Sequence, residues 1–174
     1  MKTFEEVYET LPGTGWLSKD EAYLLWDSAR GYEGSILEVG CYFGRSTVLL
    51  VNLGRPLYCV DPFDGFTDDY TGDHIHSQFL GNLKDRGLVD VMTFRMRVED
   101  WVSRPKVGFA YLDGDHTYEG TVAQIRAALD CEAKGIAIHD VSNSGGGLPI
   151  SKAAFEMLGR TYDKAGTMAV WRLK

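Results

Sequence analysis

The sequence predicts an α/β fold: a doubly wound, Rossmann-like parallel sheet with helices on both faces, a three-layer sandwich. Three observations predict it. Short apolar runs alternate with stretches whose apolar residues recur at helical spacing. Glycines at Gly40 and Gly44 bracket the passage from the first run into a helical stretch. Acidic residues stand at the ends of later runs: Asp61 and Asp113 directly after theirs, and Asp140 one residue beyond, after His139. Strands that alternate with helices pair in parallel through right-handed crossovers, and that builds a doubly wound sheet.

The elements follow in order. Thr3 and Glu6 have capping-box spacing, and Phe4, Val7, Tyr8 and Leu11 supply an apolar face, so Thr3 to Leu11 reads as a helix. Pro12-Gly13 breaks it. Ser18 and Glu21 form a second capping box, ahead of a helix whose buried face is Ala22, Leu25, Trp26 and Ala29. Ser35 to Val39 is a buried strand, and Ser46 to Leu53 a helix apolar on most sides. Leu57 to Val60 is the next strand. The loop from Pro62 to Asp73 carries Phe63, Phe66 and Tyr70 as cover for a site. Ile75, Phe79 and Leu83 mark a helix stopped at Gly87. Met92, Phe94 and Met96 alternate with polar residues, as in a half-buried strand. Val107 to Leu112 and Gly135 to Ile138 are strands, with a helix between them through Val122, Ile125 and Leu129. Pro149 suits a first helical position, before the stripe of Ile150, Ala153, Ala154, Met157 and Leu158. Met168 to Leu173 closes the chain as a strand.

Composition sets the class. The chain has 174 residues, 44% hydrophobic and 25% charged, the balance of a globular protein able to build a core without staples. One domain over residues 1–174 is expected, with residues 1–31 as N-terminal cap helices. Charges sum to −7, and no basic run interrupts them. That excludes nucleic acid and anionic membrane as expected partners. No apolar stretch reaches a membrane span, and the acidic N-terminus has no apolar signal core. Cys41, Cys59 and Cys131 are odd in number and make no C-x-x-C pair, as expected of reduced thiols in the cytoplasm.

In open parallel sheets, ligands bind beyond the carboxyl ends of the strands, where strand order reverses. Glycines at Gly40 and Gly44 permit a tight turn and close backbone approach there. Asp61 comes 21 residues after Gly40 and can accept hydrogen bonds from a ribose diol. A dinucleotide needs G-x-G-x-x-G for its pyrophosphate. This turn lacks the middle glycine and has Cys41-Tyr42-Phe43 instead. S-adenosylmethionine has no phosphate, tolerates the looser turn, and suits an acid such as Glu38 near its cationic end.

ILEVGCYFGRST followed by LYCVDPFDG resembles the first two motifs of class I S-adenosylmethionine-dependent methyltransferases. YLDGDHTYEGTVAQIRAAL followed by GIAIHD is similar to the small-molecule methyltransferases of domain family 24, distant relatives of catechol-type and caffeoyl-CoA-type O-methyltransferases. The resemblance spans about Ser18 to Trp171. It implies a seven-stranded, mostly parallel sheet with an antiparallel last strand. It also implies that Glu38, Gly40, Phe43, Gly44 and Ser46 line the methionine end of the cofactor. Asp61, Pro62 and Phe63 would flank the ribose, Val98 and Glu99 the adenine, and Asp113 the reacting end. Trp101 and Cys41 are expected to be packing residues.

Methyl transfer to oxygen needs an aligned nucleophile and a group to take its proton. Asp113 and Asp140, at the ends of neighbouring strands, would converge with His116 and His139 beside them. Asp113 and Asp140 match the two acids of the catechol-type relatives, and with His116 beside them they are the catalytic candidates. Asp113, His139 and Asp140 are the candidate ligands of a divalent cation such as magnesium. The third ligand position of catechol-type relatives is Val141 here, which leaves a metal-free route open with His116 or Asp113 as base. Asp115 would support the site or cap a helix, Tyr118 would line the acceptor pocket or pack as an aromatic, and Ser142 to Gly147 would be a lid or acceptor-contact segment rather than a plain connector. The expected partner is a small hydroxylated acceptor: a sugar, a natural product or a phenol. The short chain leaves little cover, so the site is open or a second subunit of a homodimer completes it. A non-catalytic S-adenosylmethionine-binding module and an NAD-type oxidoreductase are the alternative readings.

Overall fold

The computed structural model describes residues 2–64, 71–88 and 91–173. Its centre is a seven-stranded sheet in the order β3-β2-β1-β4-β5-β7-β6. The strands are β1 (Ser35–Val39), β2 (Leu57–Val60), β3 (Met92–Phe94), β4 (Val107–Leu112), β5 (Gly135–Ile138), β6 (Asp163–Ala165) and β7 (Met168–Arg172). The first five pair in parallel; β7 runs antiparallel to β5, and β6 antiparallel to β7. Strand order reverses between β1 and β4.

The side-chain period of two sorts the strands into two cores. Ile36, Leu57, Cys59, Phe109, Tyr111 and Val170 face one layer, formed by α1 (Phe4–Tyr8), α2 (Lys19–Arg30), α3 (Arg45–Val51) and α4 (Gly72–Lys84). Leu37, Val39, Val60, Leu112, Ile138 and Trp171 face the other, formed by α5 (Tyr118–Asp130) and α6 (Gly147–Leu158). The doubly wound, three-layer expectation stands. Both capping boxes are present, Thr3 with Glu6 and Ser18 with Glu21. No helix among the described residues is long and apolar enough to cross a membrane. The three cysteines are free and buried.

Several expectations need correction. The first helix stops at Tyr8, because the chain turns there before Pro12. Helix α3 begins at Arg45 and ends at Val51. Strand β3 stops at Phe94, and Met92 and Met96 are exposed rather than core-facing, since the strand is an outer one with little packed on it. Pro149 is the third residue of α6, not the first. Strand β6 is not marked in the sequence. It is a short edge strand, Asp163-Lys164-Ala165, whose exposed polar residues give no apolar signal. Phe66 and Tyr70, expected as site cover, lie outside the described residues.

Candidate functional site

Register alone brings the predicted strand-end residues into one row. Val39 pairs with Val60 and with Leu112, and Leu112 pairs with Ile138. The next residues, Asp61, Gly40, Asp113 and His139, therefore stand side by side where four parallel strands end. A cavity of about 750 Å³ opens over them at the reversal of strand order. All four line it, as do Phe43, Ser46, Pro62, Phe63, Val98, Glu99, His116 and Asp140.

One end of this cavity is built mainly from backbone. Gly40 has φ +85°, and a Cβ on it would overlap the carbonyl of Asp113. Only glycine lets β1 and β4 approach so closely at their ends. Asp61 is 9% exposed and organises the turn beside it. Its Oδ2 accepts from the backbone N–H groups of Cys41 (2.5 Å) and Tyr42 (2.9 Å), and its Oδ1 from that of Phe63 (2.6 Å). Burial raises the Asp61 carboxyl pKa against these three bonds. Tyr42 and Phe63 both hold positive φ, at 47° and 52°. Non-glycine residues accept that conformation only where surroundings over-determine it. Gly44, left-handed at φ +86°, caps α3.

Two expectations at this end need correction. Glu38 is fully buried beneath the turn and does not border the cavity. Its carboxylate accepts from Ser46 Oγ (2.5 Å) and from the Cys59 thiol (3.4 Å), because an even offset from Gly40 places it on the same sheet face, one step further in. Burial pushes its pKa up to about 7, against the Ser46 hydrogen bond. Gly44 is likewise not a cavity residue; it lies under Phe79. Cys41 packs as expected, and burial raises its thiol pKa well above the ordinary value.

The other end is built from side chains. Asp113 is the hub. Its Oδ2 accepts from Tyr111 Oη (3.0 Å), while its Oδ1 lies 3.3 Å from His139 Nδ1 and 3.5 Å from His116 Nε2. Asp140 closes the group, 3.6 Å from His139 Nδ1 and 3.7 Å from His116 Nδ1, with its own φ at +57°. Burial alone would raise the Asp113 pKa, but hydrogen bonds from the two histidines turn it downward. The Asp113 hydrogen bond raises His116, against burial. Burial would lower His139, yet Asp113, Asp140 and Glu21 outweigh it and lift it to about 9. One ligand atom each from Asp113, His139 and Asp140 can come within 4.8 Å of the others, a spacing that suits one cation.

Sequence reasoning missed several contributors. Tyr111 was visible in principle, two residues before Asp113 on the same strand face. From sequence Glu21 reads only as a helix cap, but it also reaches His139 and Thr167. Arg45 bonds the carbonyls of Pro12 and Leu17 and the Tyr8 hydroxyl, drawing the N-terminal segment to the cavity rim. There Trp16, 72% exposed, stacks on Tyr42 at 5.8 Å between centroids. Two other expectations fail on contact. Tyr118 bonds Glu156 of α6 (2.6 Å) and does not line the cavity, and neither does the Ser142 to Gly147 loop. Asp115 accepts from the Thr117 N–H just ahead of α5, but the cap itself is Thr117, whose hydroxyl accepts from the Gly120 N–H. Trp101 is a buried core residue.

Comparisons with known proteins agree with this architecture. A family model described as a methyltransferase domain, family 24, matches residues 37–141, and the chain belongs to that family. No curated protein sequence matches it significantly. Solved structures that share the fold include CalS11, a TDP-rhamnose 3'-O-methyltransferase of calicheamicin biosynthesis. It is 15% identical at TM-score 0.68, over 97% of this chain and 90% of that one. The methyltransferase PaMTH1 of Podospora anserina, bound to S-adenosylhomocysteine (SAH), is 14% identical at TM-score 0.70, over 98% and 87%. An O-methyltransferase of Bacillus cereus in complex with SAH is 17% identical at TM-score 0.63, over 97% and 90%.

Proposed function

We propose that this family member transfers the methyl group of S-adenosylmethionine to a hydroxyl oxygen of a small molecule. The observation that carries the reading is the row of Asp61, Gly40, Asp113 and His139, set in one cavity at the reversal of strand order. The residues present fit the cofactor. Gly40 lets the ends of β1 and β4 close up beneath the cavity, and the cavity has the volume of a small-molecule site. A carboxylate offers about four acceptor positions, so Asp61, with three taken by backbone, keeps room for a ribose hydroxyl. Gly40, Phe43 and Ser46 would hold the methionine end, Asp61, Pro62 and Phe63 the ribose, and Val98 and Glu99 the adenine. Glu38 and Gly44 act beneath this surface, on Ser46 and on the start of α3.

S-adenosylmethionine, when bound, supplies an electrophilic sulfonium methyl to an oxygen nucleophile in line with it. His116 takes the acceptor proton, and Asp113 and Asp140 on its two ring edges stabilise the imidazolium that forms. Tyr111 and His139 hold Asp113 in place for this. Asp113 and Asp140 would also supply oxygen ligands to a divalent ion such as magnesium, with His139 beside them, and such an ion would polarise the acceptor oxygen.

Calorimetry with SAH tests the cofactor; micromolar binding is expected. Turnover across a panel of sugars, phenols and hydroxylated natural products tests the reaction. Binding without turnover across that panel favours a binding module, and thermal protection by NAD but not SAH favours a dinucleotide enzyme. For the ion, activity lost in chelator and restored by magnesium is expected; full activity in chelator removes it.

A further inference from the structure

We propose that Glu21 is a positioning residue for the reaction: from helix α2 it holds the outer edge of the His139 ring, so that Nδ1 stays aimed at Asp113 and Asp140. The inference rests on the reading of those three residues as the acceptor end of the site.

Two capping boxes in the same chain make the case. In the first, Glu6 bonds back to Thr3 and is exposed, as a helix cap ordinarily is. In the second, Glu21 makes the same bonds to Ser18 but is 7% exposed. Capping uses only its Oε2. Its Oε1 accepts from the backbone N–H (2.8 Å) and the hydroxyl (2.9 Å) of Thr167, at the β6–β7 turn, 146 residues away in sequence. Two distant segments thus clamp the carboxylate. Four hydrogen bonds, two on each oxygen, fix the carboxylate in place.

The clamped carboxylate faces His139, which is 4% exposed. His139 Nε2 is buried without a hydrogen bond and lies 3.6 Å from Glu21 Oε2. On the opposite edge, Nδ1 lies 3.3 Å from Asp113 and 3.6 Å from Asp140. Turning the ring over would put carbon where each nitrogen meets a carboxylate. A carboxylate behind a ligating or catalytic imidazole fixes its orientation, and losing one typically costs about 10–100-fold in affinity or activity.

The test compares Glu21→Gln, which keeps the shape of the side chain, with Asp27→Gly, which loosens α2 at an exposed position away from His139. Long-range proton–nitrogen spectra of histidine-labelled protein, assigned through His139→Gln, read the ring directly. Calorimetry reads SAH affinity, and kinetics separate kcat from KM. Glu21→Gln is expected to shift and broaden the His139 signals and lower kcat about 10–100-fold, with SAH affinity and the KM for S-adenosylmethionine unchanged. Asp27→Gly is expected to lower Tm and leave ring and kcat alone. A Glu21→Gln protein with wild-type ring signals and kcat overturns the proposal, as does an equal effect from Asp27→Gly. Should Glu21→Gln not fold, the wild type still decides: a single narrow set of His139 signals is required, and two ring orientations overturn it. A wild type that binds no SAH overturns the methyl-transfer reading and this proposal with it. A wild type that binds and turns over while Glu21→Gln matches it overturns this proposal alone.

Discussion

The two ends of the cavity are made from different materials. At the Gly40–Asp61 end, backbone does the shaping: a glycine that lets two strands touch, and a carboxylate spent on three N–H groups of the neighbouring turns. At the Asp113–Asp140 end, side chains converge from two strand ends, the start of α5 and, through Glu21, the N-terminal α2. A backbone cradle tolerates little substitution but asks little of the rest of the chain. A side-chain cluster tolerates backbone variation but depends on charges that must balance. Under the proposed function the first design would hold the cofactor, and the second would handle a proton. Mutations at the two ends should therefore separate binding from chemistry.

The largest separation is expected from Asp113→Asn. It removes the charge shared by His116, His139 and Tyr111, and kcat should fall about 10²–10⁴-fold. SAH affinity, measured by calorimetry, should change by a few-fold at most. Comparable losses in both would mean that the two ends are not separable.

Gly40→Ala should do the reverse. The added Cβ meets the Asp113 carbonyl, and φ +85° is itself unfavourable for alanine. SAH binding should weaken by about 100-fold, with a stability cost of about 1–3 kcal/mol from the strained backbone. Wild-type affinity in a folded Gly40→Ala protein would break the cradle interpretation.

Asp61→Asn sharpens the same end. The amide nitrogen cannot accept, so at least one of the Cys41, Tyr42 and Phe63 N–H groups loses its partner, at about 1–3 kcal/mol for a buried donor. SAH affinity should drop about 10-fold, while the pH dependence of kcat, set at the other end, should keep its shape.

Glu38→Gln should have the smallest effect on function, because Glu38 lies under the cradle and not in it. Its effect is on stability. A carboxyl raised from 4.5 to about 7 favours the fold fully below pH 4.5, and that contribution is lost as pH rises through 7. In denaturant titrations, wild-type stability should decline over this window, and the glutamine variant should lack that decline. At pH 8 the variant should be more stable by about 1–3 kcal/mol. An identical decline in both proteins would remove Glu38 as its source.

How much of this was legible in sequence differs between the two ends. Gly40, Asp61 and Asp113 were found because a strand end, a tight turn and an acid at a fixed offset are local patterns. Period-two alternation also separates Glu38 from the cavity, because it puts Glu38 on the same face as Gly40 and one step further inside the sheet. Nothing local could find the second use of Glu21. Its capping box looks the same as that of Glu6, and its partners Thr167 and His139 lie across the whole chain. Strand β6 escaped for a related reason: an exposed edge strand carries no apolar signature.

By itself the sequence determined the alternation of strands and helices, the parallel sheet, and the row of acidic and glycine positions at its carboxyl edge. Those follow from residue periodicity and from the steric demands of single turns, which act over a few neighbours. Only the tertiary structure decided which acids face the cavity and which lie buried beneath it, and which carboxylate backs the histidine. Such assignments are set by burial and by charge at distances of 3–4 Å, between residues that sequence separation leaves unrelated until the sheet and its helices pack.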